Sequence, residues 1–236
     1  IKFTGVDLDK KSVDFANKTF QSPNLRFEQG DISKKIFEDN SLDGIINSFI
    51  LHEIYSEYHY NENIISQVFA NQYFQLKDNG LIFTRDYSTM EPEEMVVIEM
   101  PDVHSGSDDP EDMTDPELLT FYSDRARARV DTYSAGFPLE ELPARYPGTR
   151  RFRLPYKWAY EFIVRNNDRE NWEDEISKEY TFYTQKDFAR VLSGLGTRVL
   201  YTAPHWNQEF INHHYLQHFR MYDDDGKPMG APPTSF

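Results

Sequence analysis

An open, mostly parallel α/β sheet with helices on both faces is the fold class that this chain predicts. Three observations point to it. Strand and helix signals alternate through the first ninety residues, the strand runs are short and apolar, and three of them end in a polar residue that could meet a ligand. Parallel neighbours need crossover connections, which such an alternation supplies.

The elements follow in order. Ile1 to Val6 read as a strand ending in Asp7, and Asp9 can cap a helix with Val13, Ala16 and Phe20 at helical spacing. After the Pro23-Asn24 turn, Leu25 and Phe27 alternate as a strand that stops at Gly30-Asp31. Ile45-Ile46 form a buried strand run ending at Asn47-Ser48. Ile64, Ile65, Val68, Phe69 and Leu76 make a helical stripe, broken by Asp78-Asn79-Gly80 ahead of a strand at Leu81-Ile82-Phe83. The alternation stops near Tyr87. Residues 91–180 read first as an acidic, Pro-containing loop or lid and then as an irregular, basic and aromatic cap. A plain structural insertion fits the same residues. Order returns with a capping box at Thr184 and Asp187, which opens a helix to Gly194. A strand is predicted at Arg198 to Tyr201, a helical stretch at 208–218, and a closing strand at Phe219 to Tyr222 before the Asp225-Gly226 turn.

Composition excludes several functions. Hydrophobic residues reach 39% and aromatics 15%, enough for a packed core. No apolar run approaches membrane-spanning length, and the first residues carry no signal-peptide pattern. Cysteine is absent, so disulfides, zinc–thiolate centres and thiol nucleophiles are excluded, and a cytoplasmic location is expected. The formal charge of −15 argues against nucleic acid as a partner. Local charge differs from the average. Residues 91–117 hold eleven acids and no Lys or Arg, whereas residues 124–169 hold ten Lys or Arg against six acids. The latter stretch, with Arg150, Arg151, Arg153, Lys157, Tyr156, Trp158 and Tyr160, could stack bases and pair phosphates, or could offset the acidic stretch.

Open α/β sheets bind ligands beyond the carboxyl ends of their strands. A carboxylate at Asp7 can accept both hydroxyls of a ribose, and one at Asp31 can accept from an adenine amino group, with the Ile32 amide serving a ring nitrogen. Each acid could equally be a helix cap. Together, Gly5-Val6-Asp7-Leu8-Asp9, Gln29-Gly30-Asp31-Ile32, Leu42 to Glu53 and Leu76-Lys77-Asp78-Asn79-Gly80-Leu81 resemble successive motifs of class I S-adenosylmethionine-dependent methyltransferases. The likeness covers residues 1–90 and, more loosely, 181–222, as the last helix with the sixth and seventh strands. It implies a Rossmann-like core at 1–90 (the second to fifth strands of that family), an inserted lid and cap at 91–180, and the rest of the core at 181–236.

It further implies that S-adenosylmethionine is bound through Asp7, Leu8, Asp31, Ile32, Asn47 and Ser48, with the reaction centre near His52, Asp86 and Tyr87. His52 is the candidate base, although a helix cap suits it too, as an ion pair and a packed ring suit Asp86 and Tyr87. The family's first strand and glycine-rich turn precede the matched motifs, so an upstream segment or a second chain is expected to supply them. The acceptor is expected to be a small molecule or a protein, and no metal is expected.

Rival readings are weaker. Tyr73-x-x-x-Lys77 matches a short-chain dehydrogenase pair, but Tyr60 stands where that family has Ser. His214 and His218 share a helical spacing without a third ligand. RNA methylation through the basic-aromatic stretch, or an inactive binding module on the same fold, are the remaining alternatives.

Overall fold

The computed structural model describes residues 1–88, 94–103, 105–127 and 136–236. The chain forms two compact units. The first comprises residues 1–47 and 61–84, and the second residues 48–60 and 85–236.

The first unit is the parallel part of the molecule. Strand β1 (Phe3–Asp7) leads to helix α1 (Lys10–Thr19), whose N-cap Asp9 accepts from the Lys11 and Ser12 amides, as its position predicted. Strand β2 (Leu25–Gln29) returns alongside β1 in parallel register, with Gly5 opposite Phe27 and Asp7 opposite Gln29. Gly5 is needed there, because a Cβ would lie 2.5 Å from the Phe27 ring. Strand β3 (Leu42–Ser48) pairs with β4 (Leu76–Arg85). Ser41 N donates to Gln75 O at one end and the Asn47 amide reaches Thr84 Oγ1 at the other, so these strands also run the same way.

Helix α3 (Glu62–Gln75) precedes β4 and buries Ile64, Ile65, Val68 and Phe69, each worth roughly 1.5–3 kcal/mol. The break at Asp78-Asn79-Gly80 is present as Asn79 at φ 60°, but strand pairing reaches back to Leu76. Among the described residues no ladder joins β1–β2 to β3–β4.

The second unit holds the larger core, and here the expected mostly parallel sheet gives way. Helix α2 (Leu51–Glu57) belongs to this unit. Strand β5 (Met95–Pro101) falls inside the stretch read as an acidic lid, of which residues 91–93 lie outside the described residues. It is the middle strand of a five-stranded antiparallel sheet, in the order β6 (Glu140–Leu142), β7 (Thr149–Pro155), β5, β8 (Arg220–Asp223), β9 (Pro228–Met229). The charge count hid the run Met95-Val96-Val97-Ile98, which is long enough for a strand buried on both faces.

Helix α4 (Asp115–Arg125) contributes Leu118, Leu119 and Tyr122 to the core around this sheet. Helix α5 (Tyr156–Arg165) contributes Ala159, Phe162 and Ile163, and the short α6 (Trp172–Glu175) contributes Trp172. Helix α7 (Gln185–Gly194) opens on the predicted Thr184–Asp187 capping box. Helix α8 (Gln208–Phe210) continues into a π-helical turn at Ile211–Tyr215. The strand expected at Arg198 to Tyr201 does not form. Leu200 and Tyr201 are 65% and 85% exposed, so that run finds no buried face to pay for extension. The closing strand does form as β8, but it runs antiparallel to β5.

The described part of the basic-aromatic stretch carries several ion pairs and buried rings. Arg150 pairs with Glu141, Arg153 with Asp224 and Lys157 with Glu179, while Tyr156, Trp158 and Tyr160 are buried.

Candidate functional site

The predicted residues fall into two groups. Asp7, Leu8, Asp31 and Ile32 follow the carboxyl ends of the adjacent strands β1 and β2. The junction is held by the Gly30 amide donating to Asp7 O (2.9 Å) and by Gln29 Nε2 donating to Leu8 O (3.0 Å). Asp7 Oδ1 accepts from the Asp9 amide at 2.8 Å, and the Leu8 side chain is exposed. Asp31 Oδ1 accepts from Ser33 N (3.0 Å) and Ser33 Oγ (2.6 Å), and Oδ2 lies 3.0 Å from Lys34 Nζ. Burial pushes the Asp31 carboxyl upward, but the Ser33 and Lys34 contacts outweigh it and hold the group below the usual range. Asp31 is therefore an anion at neutral pH.

Asn47 lies on the other strand pair, and its amide is committed. Asn47 Nδ2 donates to Gln72 Oε1 at 2.9 Å, and Gln72 Nε2 returns a bond to Asn47 Oδ1 at 2.8 Å, locking β3 to α3. Ser48, the last residue of β3, is exposed.

The second group is brought together in the second unit. Asp86 is fully buried. Its Oδ2 accepts from the Leu51 amide (2.9 Å), while Oδ1 takes the Tyr87 amide (2.8 Å) and stands 2.6 Å from His52 Nδ1. His52 is 4% exposed, and Glu53 Oε1 lies 3.6 Å from its Nε2. Burial alone would lower the His52 pKa, but Asp86 and then Glu53 override it and raise the imidazole to about 9. At neutral pH His52 is thus a cation that donates Nδ1–H to Asp86. Burial, with Asp86 adding to it, pushes the Tyr87 phenol up to about 12, so it stays neutral.

Three residues of this group carried no usable sequence signal. Phe49 adopts φ 51°, and its ring lies 5.0 Å from Tyr87 and 4.8 Å from the Arg85 guanidinium. Glu53 was visible only as the neighbour of His52. Tyr180 comes from the stretch read as a cap; its ring stacks on Tyr87 at 4.9 Å and meets His52 edge-on at 4.8 Å.

Helix α2, which carries His52, is fastened to the segment around Tyr180. Tyr60 Oη donates to Ser177 O, Ser56 Oγ accepts from Glu179 N, and Tyr55 stacks on Phe182 at 4.6 Å. Among the described residues no group of three or more His, Asp or Glu could hold a metal, and His218 is bonded to Asp115 at 3.0 Å. No described helix is long and apolar enough to cross a membrane.

A family profile described as "Methyltransferase domain" matches residues 1–84. No curated protein sequence matches the chain. Among solved structures, the trans-methyltransferase CalH in complex with SAH is 23% identical over 37% of this chain, with a TM-score of 0.31, and the match spans only 24% of that chain. An S-adenosylmethionine-dependent methyltransferase from Mesorhizobium loti is 14% identical over 97% of this chain and 77% of its own, with a TM-score of 0.45. The corresponding figures for a Listeria monocytogenes protein described as an S-adenosylmethionine-dependent methyltransferase are 14%, 93%, 76% and 0.41. At these TM-scores the structural likenesses carry no argument of their own, and the profile match is the finding that counts. Residues 1–84, about a third of the chain, are thus similar to a methyltransferase domain.

Proposed function

We propose that this protein transfers a methyl group from S-adenosylmethionine to a small molecule or a protein. The observation that carries the reading is that Asp7 and Asp31 follow neighbouring parallel strands within the segment that the methyltransferase profile matches. In this reading Asp7 accepts the ribose hydroxyls and Asp31 the adenine amino group, and Leu8 and Ile32 flank the nucleoside. The donor supplies an electrophilic methyl on a sulfonium, so placement of the nucleophile provides most of the acceleration. Ser48 serves the amino-acid end of the donor. Asn47 acts one step back, by holding the strand end through Gln72.

His52, Asp86 and Tyr87 form the acceptor side. With its proton held by Asp86, His52 orients or stabilises the acceptor as a cation, and it becomes a base only as pH approaches 9. The paired state of Arg150, Arg153 and Lys157 and the burial of Tyr156, Trp158 and Tyr160 favour a small or protein acceptor over RNA. The reading also carries a strand between β1–β2 and β3–β4, from a preceding segment or a second chain. What supports it is that no ladder joins the two pairs among the described residues.

Calorimetric titration with S-adenosylhomocysteine tests the proposal. Saturable binding is expected, weakened at least tenfold in Asp7→Ala and Asp31→Ala. No saturable heat would overturn the reading in favour of an inactive module.

A further inference from the structure

The His52 imidazole is anchored to Asp86 through one atom, Nδ1. At Nε2 the Glu53 carboxylate stands 3.6 Å away, a looser contact than the one at Nδ1, so the ring can still tip about the Asp86 bond unless something braces its edge. Two rings do so. Tyr87 meets it at 5.3 Å and 69°, and Tyr180 at 4.8 Å and 77°, the tyrosines themselves being stacked at 4.9 Å and 16°.

Tyr87 is tied to Asp86 through its backbone amide, so it and His52 share an anchor. Tyr180 is fixed independently, at its phenol, its amide and its ring. Its phenol donates to Glu175, and its amide donates to Glu161 Oε2 at 3.1 Å. The Arg165 guanidinium lies 4.8 Å from its ring. Glu161 also takes Thr181 N (2.6 Å) and Thr181 Oγ1 (2.5 Å) and pairs with Arg165, and both members of that pair are fully buried. Burying such a pair is costly unless its remaining donors and acceptors are used. Here they are used to grip the backbone at 175–181: Arg165 donates to the Glu175 and Lys178 carbonyls while Glu161 accepts from 180 and 181.

We propose that Tyr180 is a positioning residue for His52, its ring clamped by Glu161, Arg165 and Glu175 so that the imidazole presents one orientation toward the acceptor. The orienting role rests on the acceptor-side reading of His52 given above; the clamp itself does not.

The test follows the His52 Nδ1–H proton by NMR in the whole protein, in Tyr180→Phe, Tyr180→Leu and Glu175→Gln, alongside circular dichroism. In the wild type this buried, bonded proton is expected to exchange slowly with water. Tyr180→Phe keeps the ring and should exchange within about threefold of the wild type. Tyr180→Leu removes the brace and should exchange at least tenfold faster, or broaden the signal away, with the fold retained. Glu175→Gln keeps every ring and weakens the phenol's anchor together with the Lys178 ion pair that the same carboxylate makes; it should fall between, and it decides the matter if Tyr180→Leu does not fold. Unchanged exchange in a folded Tyr180→Leu, or in Glu175→Gln when the former is unfolded, overturns the proposal. Donor calorimetry on the same samples is a separate readout. Absent donor binding with a Tyr180-dependent His52 signal would sink the methyltransferase reading and leave the clamp standing.

Discussion

Asp86 gives one of its oxygens to the His52 imidazole at 2.6 Å and the other to the Leu51 amide at 2.9 Å, so a single buried carboxylate sets both the charge of the histidine and the start of the helix that carries it. The pair sits in the second unit, where the chain returns from β3 and leaves β4. Two predictions bear on what that carboxylate and its neighbours do.

The charge of His52 should be measurable directly. With the folded pKa raised from 6.5 to about 9, its contribution to stability is fully present below about pH 6.5, falls between there and 9, and is lost above. Histidine NMR across pH 5–10 should find one residue titrating near 9. In Asp86→Asn that midpoint should fall, because burial is then opposed by Glu53 without Asp86. A wild-type midpoint near 6.5 would mean that the ion pair is not formed.

Asp86→Ala leaves two amides and an imidazolium without their acceptor. Breaking a buried charge pair in this way costs about 3–5 kcal/mol. Urea denaturation should show a loss in that range, with Asp86→Asn milder because its side-chain oxygen still accepts. A cost under about 1 kcal/mol for the alanine variant would show the site to be wetter than its burial indicates.

For Asn47 the lock to Gln72 separates a structural role from a binding one. Asn47→Ala should lower stability by roughly 1–3 kcal/mol, the cost of leaving a buried amide unsatisfied. Donor affinity of the folded fraction should change less than about threefold. A large affinity loss at unchanged stability would return Asn47 to direct contact with the donor.

Asp31 stays ionised well into acid, since Ser33 and Lys34 keep its carboxyl below 3.8 despite partial burial. Its stabilising contribution is present above 3.8 and is lost only as pH falls through the lower folded value. S-adenosylhomocysteine affinity should therefore stay level from pH 8 to pH 5. A steep fall across that interval would point to another group as the adenine partner.

The surface pairs of the basic stretch should matter little. Arg153→Ala breaks an exposed pair with Asp224, and solvent screens such a pair so that its loss should leave stability nearly unchanged. Single-stranded RNA titrated at near-physiological salt should show no saturable binding to either form. Tight binding with a steep salt slope, reduced in the variant, would reopen RNA as acceptor.

Much of the first unit was legible because its signals are local. A capping acid at Asp9, the alternation of Leu25 and Phe27, and the stripe from Ile64 to Phe69 each declare an element within a few residues. The second unit was less so. Strand β5 is defined by neighbours about fifty residues ahead and more than a hundred away, in β7 and β8, and its buried Glu99 and bracketing prolines mimic a loop. Arg198 to Tyr201 has strand-forming residues but gains no strand partner among the described residues, the reverse case. At the candidate site, Asp86 and His52 could be named separately from strand-end positions, but their bond spans 34 residues and Tyr180 arrives from further still. Proximity of that kind leaves no periodicity to read.

The two unjoined strand pairs have a practical consequence. Among the described residues strands β1 and β3 each make one ladder, and Phe3, Ile46, Leu81 and Phe83 on or beside them are more than half exposed. A bare strand edge flanked by apolar side chains is a template for any extended peptide. Handling of this protein should accordingly be governed by concentration. Where no further strand covers these edges, light scattering over a concentration series is expected to show self-association that a short apolar peptide in excess suppresses.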